Sequence, residues 1–500
     1  MMTRRESVLG MAAIRVSIVL GLCLLAVAGH AESVLDSKRK VIGYHLDVSN
    51  GRVLRMEMMR RVVDILHVLG YNHLQMNTEH TFAYSKHRVV WDGVSPMTPD
   101  EVRELDAYCG ERGIELCANQ NSFGHLGRWL RLPEYNDLAE SPKGGCHSRY
   151  RAKPMKLPMS LCPTDPRSLD LIAGLYDELM PCFRSRWINV GLDETYELDD
   201  VTGTGRSAST IAAKGAERVY LEYFKKIHAL VRARGHKMMF WGDIILHKPE
   251  LIPEIPEDVL CLNWGYAADF PFEKQTKKFA ESKRRYLVCP GTRAWGTVSG
   301  NVPEMMSNID RAVAAGERNG AAGYLLADWG DYGGLCPWIV SLPSVVYLSL
   351  KLKTPEVSRD RLIARIDEVA GCRCGAALLE YGTLYQALGG RNNEVVNEYC
   401  AALRDGRHYV RHKDVTDATL QRAREKHAKA RSLFDAEHAP KWMCDDFAFL
   451  DLICTAAEDR IENPGQVNFR ARFEPEYRRL WLTNSRPGGL EESLNLNFGL

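Results

Sequence analysis

Five hundred residues with 45% apolar content can bury a large core, most simply as one catalytic domain and a smaller second one. The formal net charge is +1, and Lys and Arg are interspersed with acids on amphipathic stretches, so no basic block or stripe marks a nucleic-acid surface.

At the N-terminus, Arg4, Arg5 and Arg15 precede an apolar run from Val16 to Ala28, followed by small residues near Gly29 and Ala31. This pattern predicts a signal peptide over residues 1–31 and an exported protein, periplasmic or secreted. The run is short for a bilayer span, so no membrane span is expected after cleavage, an uncleaved anchor being the alternative. Leu22 before Cys23 argues against lipid attachment, and the paired arginines are only a weak signal for twin-arginine export.

From residue 41 to about 331, short apolar runs alternate with amphipathic helical stretches, the pattern of parallel β/α units. Eight strands are predicted: Val41 to Leu46, His73 to Asn77, Ile114 to Asn119, Trp187 to Leu192, Lys237 to Trp241, Val259 to Trp264, Tyr286 to Pro290 and Gly323 to Ala327. The expected class is therefore α/β, a (β/α)8 TIM-type barrel over residues 32–340. Its active site should lie at the C-terminal ends of the strands.

Those ends carry polar and aromatic groups. Glu79 and His80 follow the second strand, Asn121 and His125 the third, and Asp193 and Glu194 the fourth. Trp241 and Asp243 close the fifth, Trp264 and Tyr266 the sixth, and Trp295 follows the seventh, with Trp329 and Asp331 after the eighth. A single Trp could plug the barrel mouth, but four at successive strand ends suit the apolar face of a sugar ring, whose hydroxyls would bond to the carboxylates.

Asp193 and Glu194 are the sharpest signal. Alternation along a strand through Leu192 places Ile188, Val190 and Leu192 against helices, with Asn189, Gly191 and Asp193 facing the cleft. Glu194 then lies just past the strand end, where like charge and partial burial would raise one pKa and make a proton donor. Capping of a helix N-terminus is the bland alternative.

His80 and His125 match no metal motif, so neither metal nor cofactor is expected. Cys117, Cys261 and Cys289 read as small buried hydrophobes, Cys146 and Cys162 as a pair able to bridge in an oxidising compartment, and Cys372-x-Cys374 as too little for zinc. Residues 341–500 are read as a C-terminal α-helical domain with solvated charged faces. Its predicted helices include Arg359 to Ala370, Gly375 to Leu388, Glu394 to Arg404, Leu420 to Phe434 and Asp445 to Ile461.

Several segments together resemble glycoside hydrolase family 20, the β-N-acetylhexosaminidases, most closely a bacterial subgroup without the usual N-terminal α+β domain. They are Gln75 to Tyr84, Asn119 to His125, Gly191-Leu192-Asp193-Glu194-Thr195, the Trp-Gly-Asp segments and Arg486-Pro487-Gly488-Gly489-Leu490. The resemblance implies retaining, substrate-assisted hydrolysis of terminal N-acetyl-β-D-hexosaminides, an exception to the two-carboxylate scheme. Glu194 would be the general acid and base, and Asp193 would orient the acetamido N–H. Trp241, Trp264 and Trp329 would wall the sugar site, while Asp331 stands where the family carries Glu. Two departures stand out. Asn50 occupies the place of the family's sugar-gripping Arg, with Arg52 as a substitute, and Tyr266 is the candidate for the family's acetamide-binding Tyr. Alternatives are a non-catalytic glycan-binding barrel or a β-glycosidase acting on a different terminal sugar. The expected partner is a glycan with a terminal N-acetylhexosamine, and the sequence leaves the oligomeric state open.

Overall fold

The computed structural model describes residues 33–149, 154–392 and 396–499, so the export signal read in residues 1–31 lies outside the described residues. Contacts group Lys40–Leu500 into one unit, apart from the residues up to Arg39.

Eight parallel strands close into a barrel in sequence order: β1 Val41–Asp47, β2 His73–Asn77, β3 Glu115–Asn119, β4 Trp187–Asn189, β5 Lys237–Trp241, β6 Leu260–Trp264, β7 Tyr286–Cys289 and β8 Gly323–Asp328. Closure pairs β1 with β8 from Val41 opposite Gly323 to Leu46 opposite Asp328. Gly323 permits that approach, because a Cβ there would meet the Val41 carbonyl oxygen at 2.2 Å. The strand positions agree with the periodicity within two residues except in β4, which ends at Asn189. Beyond it, Gly191 and Leu192 take φ of +70° and +72°, so the chain leaves the pleat and alternation no longer decides where Asp193 points.

The lumen is polar. Asn119 Nδ2 lies 3.0 Å from His45 Nε2, and Asn189 Nδ2 donates to Gln75 Oε1 at 3.1 Å. Each pair joins strands that are not neighbours, so both bonds cross the interior. Such groups are tolerated because they satisfy one another away from water.

Helices cover the outside by ordinary local rules. Pro99–Glu111 starts with a capping box, in which Thr98 Oγ1 accepts from the Glu101 amide and the Glu101 carboxylate accepts from the Thr98 amide at 2.8 Å. It buries Val102, Leu105 and Cys109. Glu101 also receives the Arg486 guanidinium at 2.8 Å. Around this contact the segment 485–489 touches the β1 loop, where Leu54 bridges Ser485 and the Arg486 amide donates to Val53 O at 2.8 Å, and the turn before helix Pro99–Glu111, where the Gly488 amide donates to Ser95 Oγ at 3.0 Å.

In the helical region, Arg359–Ala370 lies where expected. The predicted Gly375 to Leu388 helix is broken at Gly382 and Thr383, and Phe469–Asn484 and Leu490–Asn497 are additional helices. The charged faces are not all solvated. Helix Lys441–Glu462 buries Asp446, Glu458 and Arg460, and His427 sits between Asp451 (2.9 Å) and Glu458 (3.1 Å). No disulfide joins Cys146 and Cys162; both side chains are buried, and Cys162 Sγ lies 3.2 Å from the Thr164 hydroxyl. Among the described residues no helix is long and apolar enough to cross a membrane.

Candidate active site

The loops after β2, β3, β4, β7 and β8 hold six non-glycine residues at positive φ: Glu79 (+41°), His125 (+57°), Leu192 (+72°), Glu194 (+49°), Arg293 (+56°) and Tyr332 (+64°). Backbone of this kind costs on the order of 1 kcal/mol per residue and concentrates at functional sites. Here it marks the C-terminal mouth of the barrel.

At that mouth Asp193 and Glu194 meet over one imidazole. His125 Nε2 is 3.3 Å from Asp193 Oδ2 and 3.4 Å from Glu194 Oε2. Burial of His125 works against its charge, but the two carboxylates overcome that and raise its pKa well above 6.5, so an imidazolium faces the acid pair at neutral pH. Two glycines let these loops touch. A Cβ on Gly124 would lie 2.4 Å from the Asp193 carbonyl oxygen, and one on Gly191 would lie 2.1 Å from Asn121 Oδ1.

Asp243 works beneath the pair. Its Oδ2 accepts the Glu194 amide at 3.1 Å and its Oδ1 accepts the Trp264 indole N–H at 3.4 Å. Burial first, then repulsion from Asp193 and Glu194, holds its carboxyl well above the usual range, against the pull of those two donors. Glu79 accepts Asn121 Nδ2 at 3.4 Å. Burial pushes its carboxyl up to about 8, with His125 acting in the opposite sense and Asp47, Asp193 and Asp331 adding to the rise. His80 Nδ1 is 4.0 Å from Glu79 Oε2, and burial together with Arg128 and Arg131 keeps its imidazole neutral, at about 3.

The aromatic residues form one connected wall. Trp264 stacks on Tyr266 at 5.2 Å, Tyr266 meets Trp295 edge-on at 5.0 Å, and Trp329 donates its indole N–H to Tyr266 Oη at 2.8 Å. Trp329 continues to Trp241 at 5.7 Å, and His45 lies 4.4 Å from Trp329 and 5.3 Å from Trp241. Trp241 is 1% exposed and Trp295 6%, so they back the wall, whereas Trp264 and Trp329 present surface.

Asp331 stands exposed beside a cavity of about 60 Å³ lined also by Asp47, Trp295, Trp329 and Tyr332. Loss of bulk solvent and repulsion from Asp47 and Glu194 raise its pKa, with His125 opposing and its open position leaving water to offset part of the rise. Asp47 itself is fully engaged, accepting from Ser49, Asn50, Asn77 and the Gly330 amide. Of the two residues weighed for the missing Arg, Arg52 lines this cavity with Asp47, Trp329 and Asp331. Asn50 Nδ2 donates to Asp47 Oδ2 at 2.7 Å, and Arg52 turns into the helical region, donating to Ser485 Oγ at 2.8 Å between the rings of Phe449 and Trp481. Among the described residues no group of three or more His, Cys, Asp or Glu is arranged to hold a metal ion.

Two functional neighbours escaped the sequence reading. His45 occupies an inward position of β1 and was reachable by alternation; burial lowers it to about 4 although Asp47 and Asp193 favour its charge. Tyr196, whose phenol donates to Glu194 Oε1 at 2.5 Å, carried no signal beyond standing two residues past the acid.

Residues 72–295 match the family described as glycosyl hydrolase family 20, catalytic domain. A β-hexosaminidase of Akkermansia muciniphila is 28% identical over 233 residues, 44% of this chain and 45% of the relative. A lacto-N-biosidase of Bifidobacterium bifidum is 26% identical over 212 residues, 41% of this chain and 17% of the relative. The matches thus span less than half the length of either relative. The chitobiase structure of Flavobacterium johnsoniae superposes with TM-score 0.56 at 14% identity, covering 91% of this chain and 77% of that one, a likeness of fold.

Proposed function

We propose that this chain, whose residues 72–295 match the glycosyl hydrolase family 20 catalytic domain, is an exo-acting β-N-acetylhexosaminidase working by retention with substrate assistance. The observation that carries the reading is the adjacent Asp193 and Glu194, both within 3.4 Å of one imidazolium at the barrel mouth and joined through Asp243 to an aromatic wall. A protein that only binds glycans has no use for a like-charge pair that costs electrostatic free energy.

In this reading Glu194 protonates the glycosidic oxygen as the bond to C1 breaks. The substrate's acetamido oxygen attacks C1, giving a cyclic oxazolinium, and Asp193 orients the acetamido N–H and balances the positive charge. Glu194, now a carboxylate, takes a proton from water, whose oxygen opens the ring at C1 and restores the β configuration. His125 keeps both carboxyl groups in place, and Trp264 and Trp329 supply the sugar wall.

The test is a panel of aryl β-glycosides with and without the 2-acetamido group. Turnover confined to the N-acetyl members supports the assignment, and equal turnover of plain hexosides refutes substrate assistance. One observation favours a second reading, a terminal sugar other than N-acetylglucosamine: Asn50, which stands in the place of the family's arginine, is bound to Asp47, and the Arg52 guanidinium is engaged by Ser485. A galactosaminide in the same panel tests it. We also propose export, supported by the arginines and apolar run before Ala31, with N-terminal sequencing of the mature protein as the check.

A further inference from the structure

Tyr196 opens a short 3-10 turn, Tyr196–Asp199, two residues beyond Glu194. We propose that Tyr196 is a positioning residue for Glu194, donating a hydrogen bond that fixes the acid's rotamer and strengthens as its proton departs. The inference rests on the hexosaminidase reading and adds a residue to it.

The geometry holds Glu194 at three points. Its amide donates to Asp243 after β5, its Oε2 faces His125 after β3, and its Oε1 accepts the Tyr196 phenol at 2.5 Å. With the backbone at φ +49°, the side chain leaves the chain from a conformation few residues adopt, so its direction is set by these contacts. The turn that carries Tyr196 is itself anchored. The Leu198 amide donates to Thr195 O at 3.1 Å, and the buried Glu197 carboxylate accepts the Met159 and Ser160 amides at 2.6 and 3.0 Å. The phenol is thereby presented by a rigid element.

A hydroxyl donated to a carboxylate bonds about twice as strongly as one donated to a neutral acid. The Tyr196 contact therefore favours the state Glu194 reaches once it has protonated the leaving group, which is a gain made on the way to the transition state. Its effect should be largest where the leaving group most needs a proton. Titratable groups that act on Glu194 or share its contacts include His125, Asp193, Asp243 and Asp331. All remain when the phenol alone is removed.

Tyr196→Phe tests this. For an alkyl N-acetyl-β-hexosaminide kcat/KM should fall about 10-fold or more, as expected for a hydrogen bond to a charged group. A 4-nitrophenyl glycoside should lose less. Without the donor the carboxylate is less favoured, so the alkaline limb of kcat/KM should move to higher pH. In a Glu194→Gln background, measured on an activated aryl glycoside, Tyr196→Phe should cause no further loss. An unmoved alkaline limb with equal losses on both leaving groups, or a full loss persisting in the Glu194→Gln background, would overturn the proposal. A wild type inactive on every N-acetylhexosaminide would refute the hexosaminidase reading, and the Tyr196 role with it.

Discussion

Gly124→Ala places one methyl group behind the acid pair. The added Cβ would sit 2.4 Å from the Asp193 carbonyl oxygen, about 1 Å inside ordinary contact at 3.4 Å, and 3.6 Å from the Glu194 carbonyl carbon. Neither neighbour is the loose end of a side chain, so the catalytic turn must move. A displacement of about 1 Å at a reacting group costs on the order of 100-fold in rate, and overpacking adds about 1–3 kcal/mol of destabilisation. The assay is kcat and KM on an aryl N-acetyl-β-hexosaminide, with thermal unfolding measured alongside. Gly174→Ala is the control: it lies in helix Pro166–Leu179 with open space around the new Cβ, and it should leave kcat unchanged while stabilising by about 0.5–1 kcal/mol. If Gly124→Ala keeps the wild-type kcat, the close packing of the β3 loop on the acid turn has no catalytic role.

On the proposed mechanism, Asp193→Asn keeps a hydrogen-bonding group but cannot balance the charge of the oxazolinium, so kcat should fall by the equivalent of about 3 kcal/mol, and a thiazoline mimic of that intermediate should inhibit the wild type far more strongly than the variant; equal inhibition would exclude the assigned role. Glu79 has a folded pKa of about 8, above its ordinary value of 4.5, so the folded state binds its proton more tightly. Its contribution to stability is complete below pH 4.5 and is lost as the pH climbs to about 8, at up to ~1.4 kcal/mol per pH unit. Glu79→Gln should flatten that decline in pH-dependent unfolding curves, and an unaltered slope would refute the buried-acid assignment.

The barrel was legible because each parallel strand is a short apolar run between amphipathic helices, and that pattern survives in sequence even where the lumen is polar. What failed was local. Periodicity carried β4 on to Leu192, but the left-handed backbone at Gly191 and Leu192 is a property of the loop's close packing against Asn121, which no spacing encodes. Asp193 still faces the cleft, through the turn and not through strand alternation. The four tryptophans were rightly placed at strand ends, yet composition cannot tell a surface wall such as Trp264 from a buried backing such as Trp241. Helix Phe469–Asn484 hid behind its internal Pro475 and dense charge.

The clasp of residues 485–489 on the β1 loop has a consequence for the order in which the molecule assembles. β1 finds one neighbour only when β8 exists, more than 270 residues later, and its following loop takes part of its hold from Asn484, Ser485 and Arg486. Contacts of such sequence separation form late, because loop-closure entropy must be met first. During vectorial synthesis one edge of β1 would therefore stay unpaired at least until β8, Gly323–Asp328, has left the ribosome. That interval is when a chaperone able to cover an open strand edge would have the most to shield.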